Sequence, residues 1–599
     1  MSEPAPSRLS AALLGAGLAG FVTLLPLLWA QLKNPWFMDR PGLWLLVAVL
    51  PAGVVGAVVG LALGRWLGRV PLLATIACWL VGWVASPVVG ILWPRPDEVP
   101  GLRLLVVGID GATFDLIDPM LDGLPALSGL LERGVRADLQ AAEPMFSPLL
   151  WTTMSTGKTP EEHGVHGFNV NAEACRSARY WEIMEDHGLR TGIYKWLVTY
   201  PPQEISTFQV PAWLAPATDT WPADISFIKE IELSRRLKRK QVQATRSNAV
   251  LVYEGLNRGF RFGTIFAAVR FSFTEKIFGP DAERAHREGQ LIRVLMDRDL
   301  FVFLMHEHQP EVASFTDYAT DAIGHRFWKY HQPELFVGVP PAGIDRWGDS
   351  IEQAYAQADD VLAELLALMP ADASVVVVSD HGFQALEGDD SGMFFAPRTE
   401  RLRALLDERV AGVETVKLGH KVVVTATGAD PDMELERIRG LLDGLVQTST
   451  GRPFYRHEPV DDDPRSIGLT LRDESVTKDR LASDTVNGEP LSDYVRLTEA
   501  YSGMHERDGI FVAAGPGIAP GVELDPMSHL DVTPTLLGLV GLPAAHDMEG
   551  GAPAAMFVQP LALPEAPVSY DGLVEQRRLV GTGESGSNED ALRALGYID

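Results

Sequence analysis

The sequence predicts an α/β domain built on a mostly parallel central sheet flanked by helices, with three transmembrane helices ahead of it. Three observations predict this. Two short apolar runs, Leu104–Asp110 and Ser374–Ser379, read as strands buried on both faces, as in a parallel sheet. Each ends in a carboxylate, Asp110 and Asp380, where open α/β sheets gather their ligands. Residues 9–32, 41–64 and 70–94 contain no charged side chain.

A bilayer core needs about 20 apolar residues per helix, so these three segments are long enough to span. Trp29, Trp36, Trp44, Trp66 and Trp93 stand near their ends, as interfacial tryptophans do. A signal peptide would explain only the first. Arg8, Arg65 and Arg69 lie on one side, and Lys33, Arg40 and Arg95 on the other, which favours an N-terminus inside the cell. Three crossings then place the large domain on the extracytoplasmic side of an inner or plasma membrane. Residues 1–96 form this anchor and 97–102 a linker.

The 599-residue chain has a formal net charge of −28, while residues 1–96 carry six Lys/Arg against two acids. The acid excess therefore lies in the large domain and argues against duplex nucleic acid as a partner. Two cysteines, Cys78 and Cys175, imply no disulfide framework.

After Asp110 the pattern reads as a helical stretch over Asp115–Arg133 and a strand near Ala137–Gln140. Ser147-Pro148 then opens LLWTTMST, with serine suited to cap a helix and proline to its first position. A hydroxyl at a helix N-terminus also faces backbone N–H groups and the positive dipole end, which suit a phosphate. Gly192–Pro202 reads as a strand and turn. Residues 224–300 read as a helical insertion with a basic run, Arg235–Lys240, and an apolar stretch, Phe260–Phe278. Such a basic run reads first as a solvated charged helix, and with apolar neighbours it also suits a lipid surface.

Val312–Asp317 is a further strand, followed by Asp321 and His325, whose spacing puts a carboxylate and an imidazole on one face of a turn, able to meet one metal ion. Ile351–Leu368 is amphipathic. His381-Gly382 follows Asp380. Residues 384–499 form a second, divergent insertion with strands at Lys421–Thr427 and Ser466–Leu471 and a helix over Pro431–Leu445. His505 precedes the apolar run Asp508–Ala513, and the tail, 561–599, ends in a short helix near Leu592.

On Ser147, Gly157, Pro160, His163-Gly164, the Asp321-x-x-Gly-His325 pattern, Asp380-His381 and His505, the chain resembles the type I phosphodiesterase/nucleotide pyrophosphatase family of the alkaline phosphatase superfamily. The resemblance implies an alkaline phosphatase-like core over 103–560. It implies Ser147 as the nucleophile and two divalent metal ions, one held by Asp321, His325 and His505 and the other by Asp110, Asp380 and His381. Asn169 matches a phosphoryl-contacting asparagine, one residue out of place. Mixed carboxylate and imidazole donors suit zinc, and manganese also fits. The expected activity is phosphoester hydrolysis through a phosphoseryl intermediate. The alternatives are a monoesterase on the same site, or a membrane phosphoryl-group transferase of the phosphoethanolamine transferase type. A sulfatase is disfavoured because Pro148 directly follows Ser147 and no arginine stands nearby; the membrane segments disfavour a phosphoglycerate mutase-like enzyme. A metal-stabilised binding module without turnover is the non-enzymatic alternative. Substrate identity and oligomeric state are not encoded legibly.

Overall fold

In a computed structural model, described residues are 98–581, apart from 169, 240–245, 280, 337–338, 387–392, 411–412, 419–420, 429, 461–463, 473–477 and 500–501. The three charge-free segments and the expected terminal helix near Leu592 lie outside them. Among the described residues no helix is long and apolar enough to cross a membrane. These residues divide into two compact units. One holds 98–102, 224–311 and 361–370, and the other holds 103–223, 312–360 and 371–581.

The larger unit is built on a nine-stranded sheet. Its strands include β1 (Leu104–Ile109), β2 (Val135–Gln140), β3 (Thr191–Tyr194), β4 (Phe208–Val210), β5 (Val312–Asp317) and β6 (Ser374–Val378). The order is Val522–Glu523, β2, Asp508–Ala514, β6, β1, β5, β3, β4. The four strands β6, β1, β5 and β3 run parallel, so their carboxyl ends share one edge. β1, β5 and β6 are buried along their whole length, which is why they read as unbroken apolar or small-residue runs. The strand Asp508–Ala514 runs antiparallel to both β2 and β6, so the sheet is mixed, though mostly parallel. Antiparallel and buried parallel strands share the same apolar pattern here, so direction was not readable from it.

The expected helix over Asp115–Arg133 is two helices, Phe114–Met120 and Pro125–Arg133, joined by a 3-10 turn at Leu121–Gly123. Pro125 cannot donate a backbone hydrogen bond, so a continuous helix is broken there. The divergent stretch after residue 384 contributes a four-stranded antiparallel sheet that includes Lys421–Ala426 and Ser466–Leu471. With the helices Thr399–Asp407 and Pro431–Asp443 it closes a small core of its own around Leu406, Val422, Ile438 and Leu469.

The other unit is helical, with Phe227–Arg239, Asn248–Asn257, Phe262–Phe278 and Ala282–His308. Its polar centre is Asp299, whose Oδ2 accepts from the Arg261 N–H at 2.8 Å and from Thr264 Oγ1 at 2.5 Å. Arg298 Nη2 lies 2.7 Å from the other oxygen.

Gly108 on β1 shows how tightly the sheet meets the helix that carries Ser147. A Cβ added there would lie 2.5 Å from Trp151 Cη2 and 2.9 Å from Thr316 Cγ2. Overpacking of this kind costs about 1–3 kcal/mol. Gly108→Ala is expected to lower the midpoint of chemical denaturation by that amount with an unchanged slope; a midpoint equal to the parent's would contradict this packing.

Candidate active site

Four chain segments converge on the carboxyl edge of β6, β1 and β5. Asp110 follows β1, and sheet bonding continues through it, its N–H donating to the Asp317 carbonyl at 2.9 Å. Its own carbonyl accepts from Thr320 Oγ1 at 2.5 Å. Gly111 then turns the chain away at φ 71°, a left-handed value suited to glycine. A Cβ there would come within 2.9 Å of Phe383 and 3.2 Å of the Asp321 backbone. Asp110 caps nothing: Thr113 caps the Phe114–Met120 helix, accepting from the Asp115 N–H at 3.3 Å.

Asp321 and His325 occupy successive turns of the Ala319–His331 helix, and Asp321 Oδ1 is 3.3 Å from His325 Nε2. Asp380 and His381 follow β6. Ser379 fixes that turn: its hydroxyl donates to the His381 carbonyl at 2.7 Å and accepts from the Ala112 N–H at 2.9 Å. His505 sits on a short strand, Gly503–Glu506, antiparallel to Gly382–Ala385 and in register with Phe383. That pairing carries it to 3.3 Å from Asp321 Oδ1 and 3.1 Å from His325 Nε2.

The three histidines are held in the same way. Nδ1 lies 3.0 Å from the Gly503 carbonyl for His325, 3.0 Å from the Gly382 carbonyl for His381 and 3.1 Å from the Met145 carbonyl for His505. A carbonyl only accepts, so each Nδ1 carries the proton and each Nε2 turns its lone pair to the carboxylates. His381 Nε2 is 3.5 Å from Asp110 Oδ1, 3.5 Å from Asp380 Oδ2 and 4.0 Å from Asp321 Oδ1. Donor atoms of Asp110, Asp380 and His381 lie within 4.8 Å of one another, as do those of Asp321, His381 and His505. His381 thus faces both groups.

These atoms fit metal ions. Asp110 Oδ1, Asp321 Oδ1, both Asp380 oxygens and His381 Nε2 are buried without a hydrogen-bond partner. Lone pairs and carboxylates facing one another out of water repel unless a cation stands among them. Backbone carbonyls orienting the imidazoles from behind are the usual support of a metal ligand.

The electrostatics agree. Burial raises the Asp110 carboxyl well above its usual range, and Asp380 and Asp321 add to this. Burial pushes Asp380 up to about 7. Burial, then His505, holds His381 well below the usual imidazole range. Burial would also raise Asp321, but His325 and then His505 outweigh it and hold that carboxyl well below normal.

Ser147 is 1% exposed and opens the Ser147–Thr156 helix. The expectation that it is the N-cap, with Pro148 first in the helix, is corrected. The first helical bond runs from the Leu150 N–H to the Phe146 carbonyl, at 3.0 Å, so Phe146 is the cap and Ser147 the first helical residue. No side chain caps this helix. The Ser147 hydroxyl instead neighbours the Asp380 carboxyl and acts to lower its pKa. At the far end His163 pins the helix. Its Nδ1 accepts from the Val165 N–H at 3.1 Å, and its Nε2 lies 3.1 Å from Thr153 Oγ1. Burial pushes His163 down to about 3, as befits a structural imidazole. Asn169 lies outside the described residues.

Sequence reasoning missed the supporting residues. Phe383 packs against His325 at 4.8 Å, His505 at 5.6 Å and His381 at 6.2 Å between ring centroids. Thr320 and Ser379 were discoverable, since each is a hydroxyl residue directly before a candidate ligand.

The family model for type I phosphodiesterase / nucleotide pyrophosphatase matches residues 104–465. That stretch includes Ser147 and the candidate ligands except His505. A search of the curated proteins finds no match.

The raised carboxyls set a pH dependence. Above the ordinary value of 3.8 the unfolded chain releases protons that folded Asp110 and Asp380 retain, so the contribution of these two carboxyls to metal-free stability falls as pH rises towards about 7, while the lowered His381 acts in the opposite sense. A divalent ion removes that cost. Added zinc is therefore expected to raise the thermal midpoint more at about pH 8 than at about pH 5. Equal shifts at both would contradict this account of the carboxyls.

Proposed function

Because the chain belongs to the type I phosphodiesterase / nucleotide pyrophosphatase family, we propose that it cleaves phosphodiesters through a phosphoseryl intermediate on Ser147, using two divalent ions. Membership by itself supports phosphoester hydrolase activity, and the family is typically metal-dependent. The observation that carries the finer reading is the convergence of buried, partnerless acceptor atoms beside the Ser147 hydroxyl. Asp110, Asp380 and His381 hold one ion, and Asp321, His325 and His505 the other. The oxygen and imidazole donors suit zinc, with manganese as the rival. Bound there, the ions supply positive charge that favours the serine alkoxide and stabilises the leaving oxygen.

The chain's own residues do the rest. The N-terminal turn of the Ser147–Thr156 helix presents backbone N–H groups and the positive dipole end to the phosphoryl oxygens. Ser147 Oγ forms a bond to phosphorus as the bond to the leaving alcohol oxygen breaks, and that oxygen gains a proton to replace the one Ser147 loses. Water then cleaves the Oγ–P bond, restoring the serine and releasing a phosphomonoester. Trp151, buried beneath the same helix, keeps Ser147 in place against β1.

The charge-free segments 9–32, 41–64 and 70–94 belong to the same proposal as three membrane spans, with the catalytic domain on the extracytoplasmic side. Their length and charge balance support this.

The test is turnover of a phosphodiester and a phosphomonoester by the metal-loaded full chain. Ser147→Ala is expected to lower diester turnover by roughly 10³-fold or more while the bound metal content is unchanged. Undiminished turnover in the variant would remove Ser147 from the chemistry; preference for the monoester would make the protein a phosphatase on this site. His505→Ala is expected to lower the bound-metal stoichiometry and turnover together, with Ser147 intact. An unchanged metal content would exclude His505 as a ligand.

A further inference from the structure

The Phe262–Phe278 helix leaves an apolar patch exposed at its C-terminal end. Of its 17 residues only Thr264 is buried. Its polar side chains face the neighbouring Ala282–His308 helix: Arg270 is 4.0 Å from Glu288, Glu275 is 3.6 Å from Arg284, and Thr264 Oγ1 is 2.5 Å from Asp299. Phe262, Ile265, Phe266, Val269 and Phe271 are half-buried, but the large apolar side chains at its C-terminal end are exposed. Phe273 is 63% exposed, Ile277, one turn on, 56%, and Phe278 78%. A soluble surface helix does the reverse, turning its apolar stripe inward.

Charge and chain path indicate what covers this face. The chain as a whole carries −28, yet residues 224–311 hold fifteen Lys/Arg against twelve Asp/Glu. Residues 1–96, through the loops around the charge-free segments, and this helical insertion are thus net positive in an acidic protein. The described chain begins at Glu98, four residues beyond Pro94, and an extended chain of that length spans roughly 14 Å. The next residue is already held within the helical unit, the Val99 N–H donating to the Leu368 carbonyl at 2.7 Å. The helical unit therefore sits close to the end of the third charge-free segment.

We infer that the Phe262–Phe278 helix docks its aromatic end into the headgroup–acyl boundary of an anionic bilayer, beside the segment 70–94. The inference rests on the proposal above that this segment spans a membrane. At 17 residues the helix falls short of the ~20 needed to cross, and aromatic residues on one side with Arg and Lys at the margins suit a helix lying in the interface. Arg270, 53% exposed, and Lys276 supply that margin, and the basic run 235–240 lies in the same unit.

The experiment uses the full chain in vesicles of phosphatidylcholine with phosphatidylglycerol. An environment-sensitive fluorophore is attached at Phe278→Cys or, as control, at Val568→Cys, which is 79% exposed in the other unit. The unsubstituted chain sets the labelling background from Cys78 and buried Cys175. The label at 278 is expected to emit at shorter wavelength and to be quenched by lipids brominated on the acyl chain, while the label at 568 does neither. Flotation reports membrane attachment separately. A chain that floats with the vesicles while the label at 278 stays water-like overturns the docking and leaves the membrane spans standing. A chain that does not float overturns both. A blue-shifted label that brominated lipid fails to quench is covered by protein, which also overturns the docking.

Discussion

The structure depends on one electrostatic constraint. Three carboxylates and three imidazole lone pairs are taken out of water and turned towards one another at a sheet edge. With the carboxyls ionised, none of these atoms can satisfy another, since all are acceptors once Nδ1 of each histidine is committed to a carbonyl. Such a cluster is costly to bury without positive charge, and the raised Asp110 and Asp380 carboxyls express that cost. The fold holds the cluster because the rest of the unit over-determines each position. Asp110 is bonded at its N–H and its carbonyl, Ser379 ties the β6 turn to the β1 turn, and Phe383 fills the space behind the rings. Local instability is concentrated where binding can relieve it, a common arrangement at functional sites.

The nucleophile candidate is subject to the same constraint from another direction. The Met145 carbonyl that orients His505 lies two residues before Ser147. The helix that Ser147 begins is pressed on β1 through Trp151 and pinned at its far end by His163. Histidine, serine and sheet are therefore positioned together, and a displacement of the helix would disturb both the hydroxyl and the His505 tautomer. Because Phe146 and not Ser147 supplies the cap, the serine hydroxyl is not committed to capping the helix and is left beside the Asp380 carboxyl.

The helical unit follows a different rule. Its interior is apolar, with Phe227, Phe260, Leu300 and Phe301 buried, but it encloses one charged cluster, Asp299 gathering Arg261, Arg298 and Thr264, and Arg261 also reaching Glu364 at 2.6 Å. Only at the C-terminal end of one helix are large apolar side chains, Phe273, Ile277 and Phe278, left exposed, and the proposed membrane docking rests on that patch.

By itself the sequence determined the strands, the carboxylates at their tips and the pairing of Asp321 with His325. These are local signals: an apolar run of strand length, a residue one or two beyond it, and a four-residue spacing on a helix. Leu104–Ile109, Val312–Asp317 and Ser374–Val378 could be read within a single window each. Only the tertiary structure decided the antiparallel direction of Asp508–Ala514, the arrival of His505 beside a residue 184 positions earlier in the chain, Asp321, and the placing of His381 between both groups of donors. It also decided which carbonyl fixes each imidazole and that Phe146 caps the serine helix. Each of those depends on a partner far away in sequence, whose distance no composition or spacing encodes. The apolar pattern tells a strand to be buried, but hydrogen bonding with its neighbours sets its direction, and the ligand set closes only when that pairing is made.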